Sequence, residues 1–520
     1  MKNLKLKDLS VRQKLGMLYC ARPHTEADLE FTLQLIREHS LGCVQLAPQK
    51  KEFIRKVRET ADYPILIICD TETGFPTSDK QRIPLIALAA CNKPEYYEVF
   101  AKAIATEARA AGFNGTWGPV IDVLKGNGPC KVHRHFSDDP LKVAQAAEII
   151  CKVYARNGYM SCGKHFPGGK DKPFDSHMAP LPSDFSREDL INQSMLPYRY
   201  LMERDLLPSI MTSHTTLMNV DPENPASVSA KVQKLIRDTG WDGVSFTDSF
   251  AMMAILQQYG EENVLGLAVA AGNDIILPNY RTPTQVSFGH LVKNYQDGMF
   301  TEERLNEAAR RVLALQERLS RIPEAVDVFT EEDQALYDSI AKNCITAVVD
   351  DGTDVALNRQ KSKLFIIMTE NARAVNEAAM EITTEHWYSP QRIADKILEV
   401  YPNAGIEFFP EFSEQKDNER VLLASAKYDE TVFVTFCETK AFLGTDCLTR
   451  RAESVINSAT LSGKLAAVVH FGNPFALQPL LHVPRKVFGY LMPDSQVYAI
   501  DVLAGKLPAN GTLPFQIQFP

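Results

Sequence analysis

Two α/β domains in series are what this 520-residue chain predicts: a (β/α)8 TIM-like barrel over residues 1–325 and an α/β sandwich domain with a parallel sheet over 362–520, joined by a linker at 326–361. Three observations carry that reading. The chain is longer than one hydrophobic core usually supports, so two domains are the natural division. Short apolar runs alternate with amphipathic, helix-like segments from about residue 41 to 278 and again beyond 362, the pattern of repeated βα units around parallel sheets. In the first stretch the apolar runs end repeatedly in polar residues. A barrel brings the C-terminal ends of its strands together on one face, and that repetition favours it over a doubly wound sheet with the same alternation.

In chain order, strands of the first domain are expected at 15–20, 41–46, 64–69, 113–119, 159–162, 209–212, 243–246 and 274–277, eight in all. Asp70, Asp122, Lys164 with His165, Ser213 with His214, and Asp248 stand at or just after the ends of these runs. Helices are expected at 95–111, 142–156, 230–239 and 261–271, and a last one at 302–321 closes the domain. Pro323 and the acidic stretch through Asp333 read as the linker. Beyond it, strands at 363–368, 405–409, 431–436, 465–470 and 486–490 alternate with helices such as 390–400 and 451–462. No Gly-rich phosphate loop follows the first of those strands, and the second domain is assigned no catalytic residue.

Composition excludes several classes of function. A net charge of −9 lacks the basic footprint of a general nucleic-acid or anionic-membrane binder. No apolar run is long enough to cross a bilayer without charges or turn residues. The start, Met1-Lys2-Asn3-Leu4-Lys5-Leu6-Lys7-Asp8, alternates charge with leucine and has no signal-peptide core, so a cytoplasmic location is expected. The ten cysteines are scattered, with no Cys-x-x-Cys pair, which suits reduced core thiols and gives no zinc or disulfide framework. No metal and no cofactor are expected, and oligomeric state is not legible.

One stretch organises the chemistry: Ser161-Cys162-Gly163-Lys164-His165-Phe166-Pro167-Gly168-Gly169-Lys170-Asp171-Lys172-Pro173-Phe174-Asp175-Ser176-His177. An apolar run reaches Lys164 and His165, and a Pro/Gly turn follows at once. The loop ends in Asp175 two positions before His177, close enough to hold the imidazole, fix its tautomer and stabilise its charged form. A second stretch, Trp241-Asp242-Gly243-Val244-Ser245-Phe246-Thr247-Asp248-Ser249-Phe250-Ala251-Met252, places Asp248 just after a buried run. A rigidly held carboxylate there suits a nucleophile, and it equally suits the N-cap of a following helix.

The first stretch resembles the Lys-His-(Phe/Ile)-Pro-Gly-(His/Leu)-Gly-x4-Asp-(Ser/Thr)-His signature of the β-N-acetylhexosaminidase branch of glycoside hydrolase family 3, with the loop length unchanged. The second resembles that family's Gly-(Phe/Tyr)-x-Gly-Val-x-x-(Ser/Thr)-Asp-x-x-x-Met nucleophile context. The resemblance implies a barrel followed by an α/β sandwich, Asp248 as nucleophile, and His177 as acid/base with Asp175 as its partner. It implies Asp70, Arg134, Lys164 and His165 as sugar binders. Arg134 lies in Val132-His133-Arg134-His135-Phe136-Ser137-Asp138-Asp139-Pro140, similar to the family's Arg-(Ser/Ala)-Phe-(Gly/Ser)-x-(Asp/Asn)-Pro loop; His133 and His135 are read as structural. His214, in Met211-Thr212-Ser213-His214, resembles the Ala-His of the matching strand and is expected at the pocket floor. Departures are Gly169, Lys170, and Asp70-Thr71-Glu72-Thr73-Gly74-Phe75, where the family has Asp-Gln-Glu-Gly-Gly-Arg. The implied activity is that of a retaining exo-β-N-acetylglucosaminidase acting on a small glycan or glycopeptide, muropeptide fragments being the family's usual substrate. The alternatives are a β-glycoside phosphorylase or β-glucosidase-like relative, and a non-catalytic sugar-binding relative.

Overall fold

The structure, a computed structural model, describes residues 2–126, 131–169, 175–321, 327–369, 388–437 and 447–520. Two compact units divide the chain: residues 1–79, 97–125 and 139–330 form one, and residues 80–96, 126–138 and 331–520 the other.

The first unit is mixed α/β with parallel sheets. One sheet runs Cys20–Ala21, Cys43–Gln45, Leu66–Cys69, Gly115–Thr116 in spatial order, and the other runs Cys162–Phe166, Ser209–Thr212, Val244–Thr247, with every pairing parallel. Isolated parallel bridges join Gly115 to Met160, Phe246 to Ile275 and Ile276 to Tyr19. Among the described residues these ladders are separate sheets, Pro182–Ser183 and Thr216–Leu217 pair as a further two-stranded parallel sheet, and a single closed eight-stranded sheet is not seen. The core between strands and helices is aliphatic and aromatic, with Trp117 edge-on to Phe246 at 4.8 Å.

Three strand expectations move, each for a local reason. Residues 15–17 belong to the helix Val11–Met17, because Ser10 and Gln13 form a capping box that starts a helix there. The strand at 159–162 lies instead at Cys162–Phe166, which places Lys164 and His165 inside it. Residues 274–277 make single bridges only. There the Asp274 carboxylate accepts the Ser245 amide at 3.0 Å and the Thr247 hydroxyl accepts the Leu277 amide at 3.0 Å, so side chains take positions that a regular ladder would fill.

Helices follow their start signals closely. Asp139 accepts from the Leu141 and Lys142 amides to cap Pro140–Arg156, and Thr301 caps Glu302–Ser320. No helix among the described residues is long and apolar enough to cross a membrane.

The second unit holds a six-stranded sheet in the order Thr346–Val349, Arg485–Phe488, Leu465–Phe471, Glu430–Phe436, Lys363–Thr369, Gly405–Pro410. Its first pair is antiparallel and the rest are parallel. The stretch expected to act as linker is folded: Glu331–Asn343 is a helix and Thr346–Val349 an edge strand. Three acidic residues in the helix's first turn, Glu331, Glu332 and Asp333, complement the positive end of its dipole, so the acidity read as a linker is a helix start. The buried helix Leu85–Cys91 packs in this unit, where Tyr337 donates to the Gln81 carbonyl at 2.9 Å. Pro323 lies outside the described residues.

Candidate active site

Asp248 follows Val244–Thr247, a strand buried along its whole length. The neighbouring strand anchors it: the Asp248 amide donates to the Thr212 carbonyl at 2.9 Å, and the Thr212 hydroxyl donates to the Phe246 carbonyl at 3.1 Å and to Asn273 at 2.8 Å. Asp248 does not cap the next helix. That helix is Met253–Tyr259, its N-cap position is Met252, and the Asp248 carboxylate accepts the Ser249 amide at 2.7 Å. The cap reading of the sequence thus gives way to a carboxylate held at a strand end.

Histidines surround this carboxylate. His165 Nε2 lies 4.0 Å from Asp248 Oδ2. His214 is buried and stacks on Phe250 at 5.4 Å. Burial pushes the His214 pKa down, so the ring is neutral near pH 7. Its Nε2–H then donates to the Ser249 carbonyl at 3.0 Å, and Nδ1 accepts from the Ser227 hydroxyl at 2.8 Å. Burial pushes the Asp248 carboxyl up, but His165, His214, the Ser249 amide and His177 together outweigh it and bring the pKa down to about 2. The group is therefore ionised across the working range of an enzyme.

The strand Cys162–Phe166 supplies the next groups. Lys164 is buried, in an ion pair with Glu72 and 3.6 Å from Asp70, which ends the strand Leu66–Cys69. His165 is gripped by Asp122: its amide donates to Oδ1 at 2.9 Å and its ring Nδ1 donates to Oδ2 at 2.8 Å. Neither Glu72 nor Asp122 stood among the expected site residues. A signal existed for both, since Asp122 is one of the polar strand ends and Glu72 sits two positions after Asp70.

The Pro/Gly turn after the strand is forced by geometry. Gly168 has φ +79°, and a Cβ there would meet the Ser194 Cβ at 3.0 Å. Beyond it, the buried Asp175 accepts both the His177 amide at 3.0 Å and the His177 ring Nδ1–H at 2.7 Å through the same oxygen, Oδ1. The His177 carbonyl in turn accepts the Met253 amide at 3.0 Å, tying this loop to the turn that follows Asp248. His177 is partly exposed, which leaves a route for proton exchange.

Asp70, Lys164, His165, Asp175, His177, His214 and Asp248 all lie in the first unit, linked by the contacts just described. Arg134 does not: it ends the short turn Val132–Arg134 in the second unit. His135, read as structural, is buried with Nδ1 3.3 Å from the Lys131 carbonyl. Phe75, where the family pattern has arginine, is a core residue packed edge-on against Phe113 at 6.1 Å. Lys170 and Lys172 lie outside the described residues. Among the described residues no group of three His, Cys, Asp or Glu side chains is arranged to hold a metal ion.

Known proteins resemble this chain. The Cellulomonas fimi protein named β-N-acetylglucosaminidase/β-glucosidase is 26% identical over 384 residues, covering 68% of this chain and 67% of that one. A β-hexosaminidase of Neisseria meningitidis serogroup B is 35% identical over 179 residues, 34% of this chain, so the match spans about half (49%) of that relative's length. Among solved structures, a glycoside hydrolase family 3 β-N-acetylglucosaminidase from Paenibacillus sp. FPU-7 superimposes with a TM-score of 0.81 at 23% identity, covering 98% of this chain and 99% of that one. The family described as "Glycosyl hydrolase family 3 N terminal domain" matches residues 11–315, more than half of the chain, and the chain belongs to glycosyl hydrolase family 3.

Proposed function

We propose that the protein is a retaining exo-β-N-acetylglucosaminidase that removes terminal β-linked N-acetylglucosamine from a small glycan or glycopeptide. The observation that carries this reading is a carboxylate at a strand end whose pKa is brought down to about 2, with an Asp175-held histidine on a loop tied to the turn beyond it. A retaining mechanism needs these two roles and no more. Asp248 attacks the anomeric carbon, the glycosidic C–O bond breaks, and His177 Nε2–H passes its proton to the departing oxygen. Asp175 holds Nδ1–H and stabilises the imidazolium before transfer. Water then attacks the glycosyl ester on Asp248 as His177 takes its proton, and the sugar leaves with its original configuration. Lys164, held by Glu72 and Asp70, is a donor for sugar hydroxyls, and Asp70 an acceptor.

The names of the Cellulomonas and Neisseria relatives support an N-acetylhexosamine as the sugar. For the fold, the bridges from Gly115 to Met160, Phe246 to Ile275 and Ile276 to Tyr19 support reading the first unit as a barrel of eight parallel segments. A role in recycling cell-wall fragments in the cytoplasm suits the family's usual substrate. The test is nitrophenol release from aryl β-N-acetylglucosaminide and aryl β-glucoside, each with and without phosphate. Preferential turnover of the N-acetyl sugar, with no phosphate stimulation, is the expected result. Phosphate stimulation would move the assignment to a phosphorylase, and no turnover of either sugar by folded protein would remove the enzymatic reading for these substrates.

A further inference from the structure

Two histidines of the site are held by the same device. In each, an aspartate accepts both the main-chain amide and the ring Nδ1–H of one histidine. For His177 the aspartate is two residues away and uses one oxygen; for His165 it is Asp122, 43 residues away, and it uses both oxygens, at 2.9 and 2.8 Å. An ionised carboxylate has no proton to give, so both contacts require His165 to donate. That fixes the tautomer with hydrogen on Nδ1 and leaves Nε2 as the nitrogen that faces Asp248, 4.0 Å from its Oδ2. The separation exceeds a hydrogen bond.

Asp122 is itself firmly placed. Val120 bridges to Lys164 and the Ile121 amide donates to the Lys164 carbonyl at 2.9 Å, so the segment carrying Asp122 runs beside the strand end that carries His165. Main chain and ring of His165 are thereby fixed by one rigid group.

We propose that Asp122 is a positioning residue of the reaction, acting through His165 to hold Nε2 toward Asp248 and the sugar bound above it. This rests on the reading of Asp248 as the nucleophile. Asp122 touches neither the sugar nor the reacting carbon. Its replacement by asparagine keeps size and shape but offers one acceptor and one donor in place of two acceptors. Because the two contacts with His165 use the two different oxygens, one of them is then lost in this geometry, or the ring presents a lone pair at Nδ1 and carries its hydrogen on Nε2.

The experiment pairs side-chain 15N shifts of His165 with kinetics on the aryl glycoside that the wild type turns over best. The His165 signals are identified by their loss in His165→Gln. Expected are an Nδ1–H tautomer in the wild type and its loss in Asp122→Asn. A fall in kcat/KM of about 10- to 100-fold is also expected, the range seen when a carboxylate that orients a metal-ligating histidine is removed, with an unchanged melting transition. In the His165→Gln background, Asp122→Asn produces no further fall, because both changes remove one interaction. An equal fall in both backgrounds would overturn the proposal, as would a wild-type His165 carrying its hydrogen on Nε2. If Asp122→Asn does not fold, Asp122→Glu, whose longer arm keeps one contact, takes its place. Should the wild type hydrolyse nothing, the proposed activity fails while the wild-type tautomer still decides the role of Asp122.

Discussion

Asp248 follows the C-terminal end of the strand Val244–Thr247, while Asp274, from the neighbouring segment, bonds Ser245 near its N-terminal end, and the protein treats the two carboxylates differently. Asp274 is fully buried and accepts from Arg237 and Arg304 at 2.7 Å each, from Arg311 at 3.2 Å and from the Ser245 amide at 3.0 Å. Its partners are permanent charges. Asp248 accepts one amide, and the side chains that hold its carboxyl pKa down are His165, His214 and His177. The strand's N-terminal end is thus locked by fixed ion pairs and its C-terminal end is tuned by histidines. In β/α folds the chemistry belongs at the second kind of end. A fully satisfied carboxylate has no lone pair left to attack with.

Substitution at the two ends should separate activity from stability. The largest expected effect is on turnover: Asp248→Asn lowers kcat on the order of 10^4-fold, the scale seen when one member of a catalytic set is removed. The unfolding midpoint at neutral pH should fall only modestly, because the depressed carboxyl pKa means that ionised Asp248 favours the fold. An Asn variant retaining a tenth of wild-type turnover would break the comparison. Next comes Asp274→Asn, which leaves three arginines facing a neutral amide. A loss of about 3–5 kcal/mol is expected, as for removal of one partner from a buried pair. Urea unfolding followed by the fluorescence of Trp117 and Trp241 would measure it, and kcat per folded molecule should stay at the wild-type value.

The two ends were not equally legible in the sequence. Asp248, Asp175, His177, Lys164, His165 and Asp70 stand out because their neighbours form dense, ordered motifs, and local order is what sequence displays. Asp122 and Glu72 act across 43 and 92 positions, and nothing near them announces their partners. The Asp274 cluster joins residues from 237 to 311 and has no motif at all. The alternating βα pattern was readable because burial repeats along the chain. What moved were places where a polar side chain replaces a backbone partner, as at Ser10, Asp274 and Thr247. The acidic run at 331–333 was read by charge as a linker, although charge at that spacing starts a helix equally well. Phe75 was noticed as a missing arginine, and its burial gives it a packing role that the motif comparison had no means to express.

A pH experiment sharpens the tuned end. With its pKa brought down to about 2, Asp248 favours the fold in its ionised form. The stability it contributes is present above the ordinary aspartate value of about 3.9 and is lost as pH falls through the folded value. The acid limb of kcat/KM that belongs to Asp248 should likewise lie near pH 2. Removing the largest opposing influence with His165→Gln leaves burial less opposed, so that limb should move up into the carboxylate range at about pH 4. A limb that does not move would mean that His165 does not tune Asp248.

The smallest expected effect tests the locked end at its rim. Arg310 pairs with Asp242 at 2.6 Å, but both side chains are about half exposed, 47% and 55%. Arg311, at 7%, reaches the same carboxylate and also Asp274. Arg310 and Arg311 together hold the Asp242 pKa down to about 2, with the Arg310 hydrogen bond the larger cause. Solvent nevertheless screens an exposed pair, so Arg310→Ala should cost less than about 1 kcal/mol. That loss should shrink further in about 1 M salt, where the screening length falls to about 3 Å. The Asp274→Asn loss should be nearly insensitive to salt, because that carboxylate is buried in direct contact with its arginines. If Arg310→Ala proved as costly as Asp274→Asn, the locking would reside in the whole arginine network rather than in the buried carboxylate. The contrast between the two ends of the strand would then be one of charge number and not of burial.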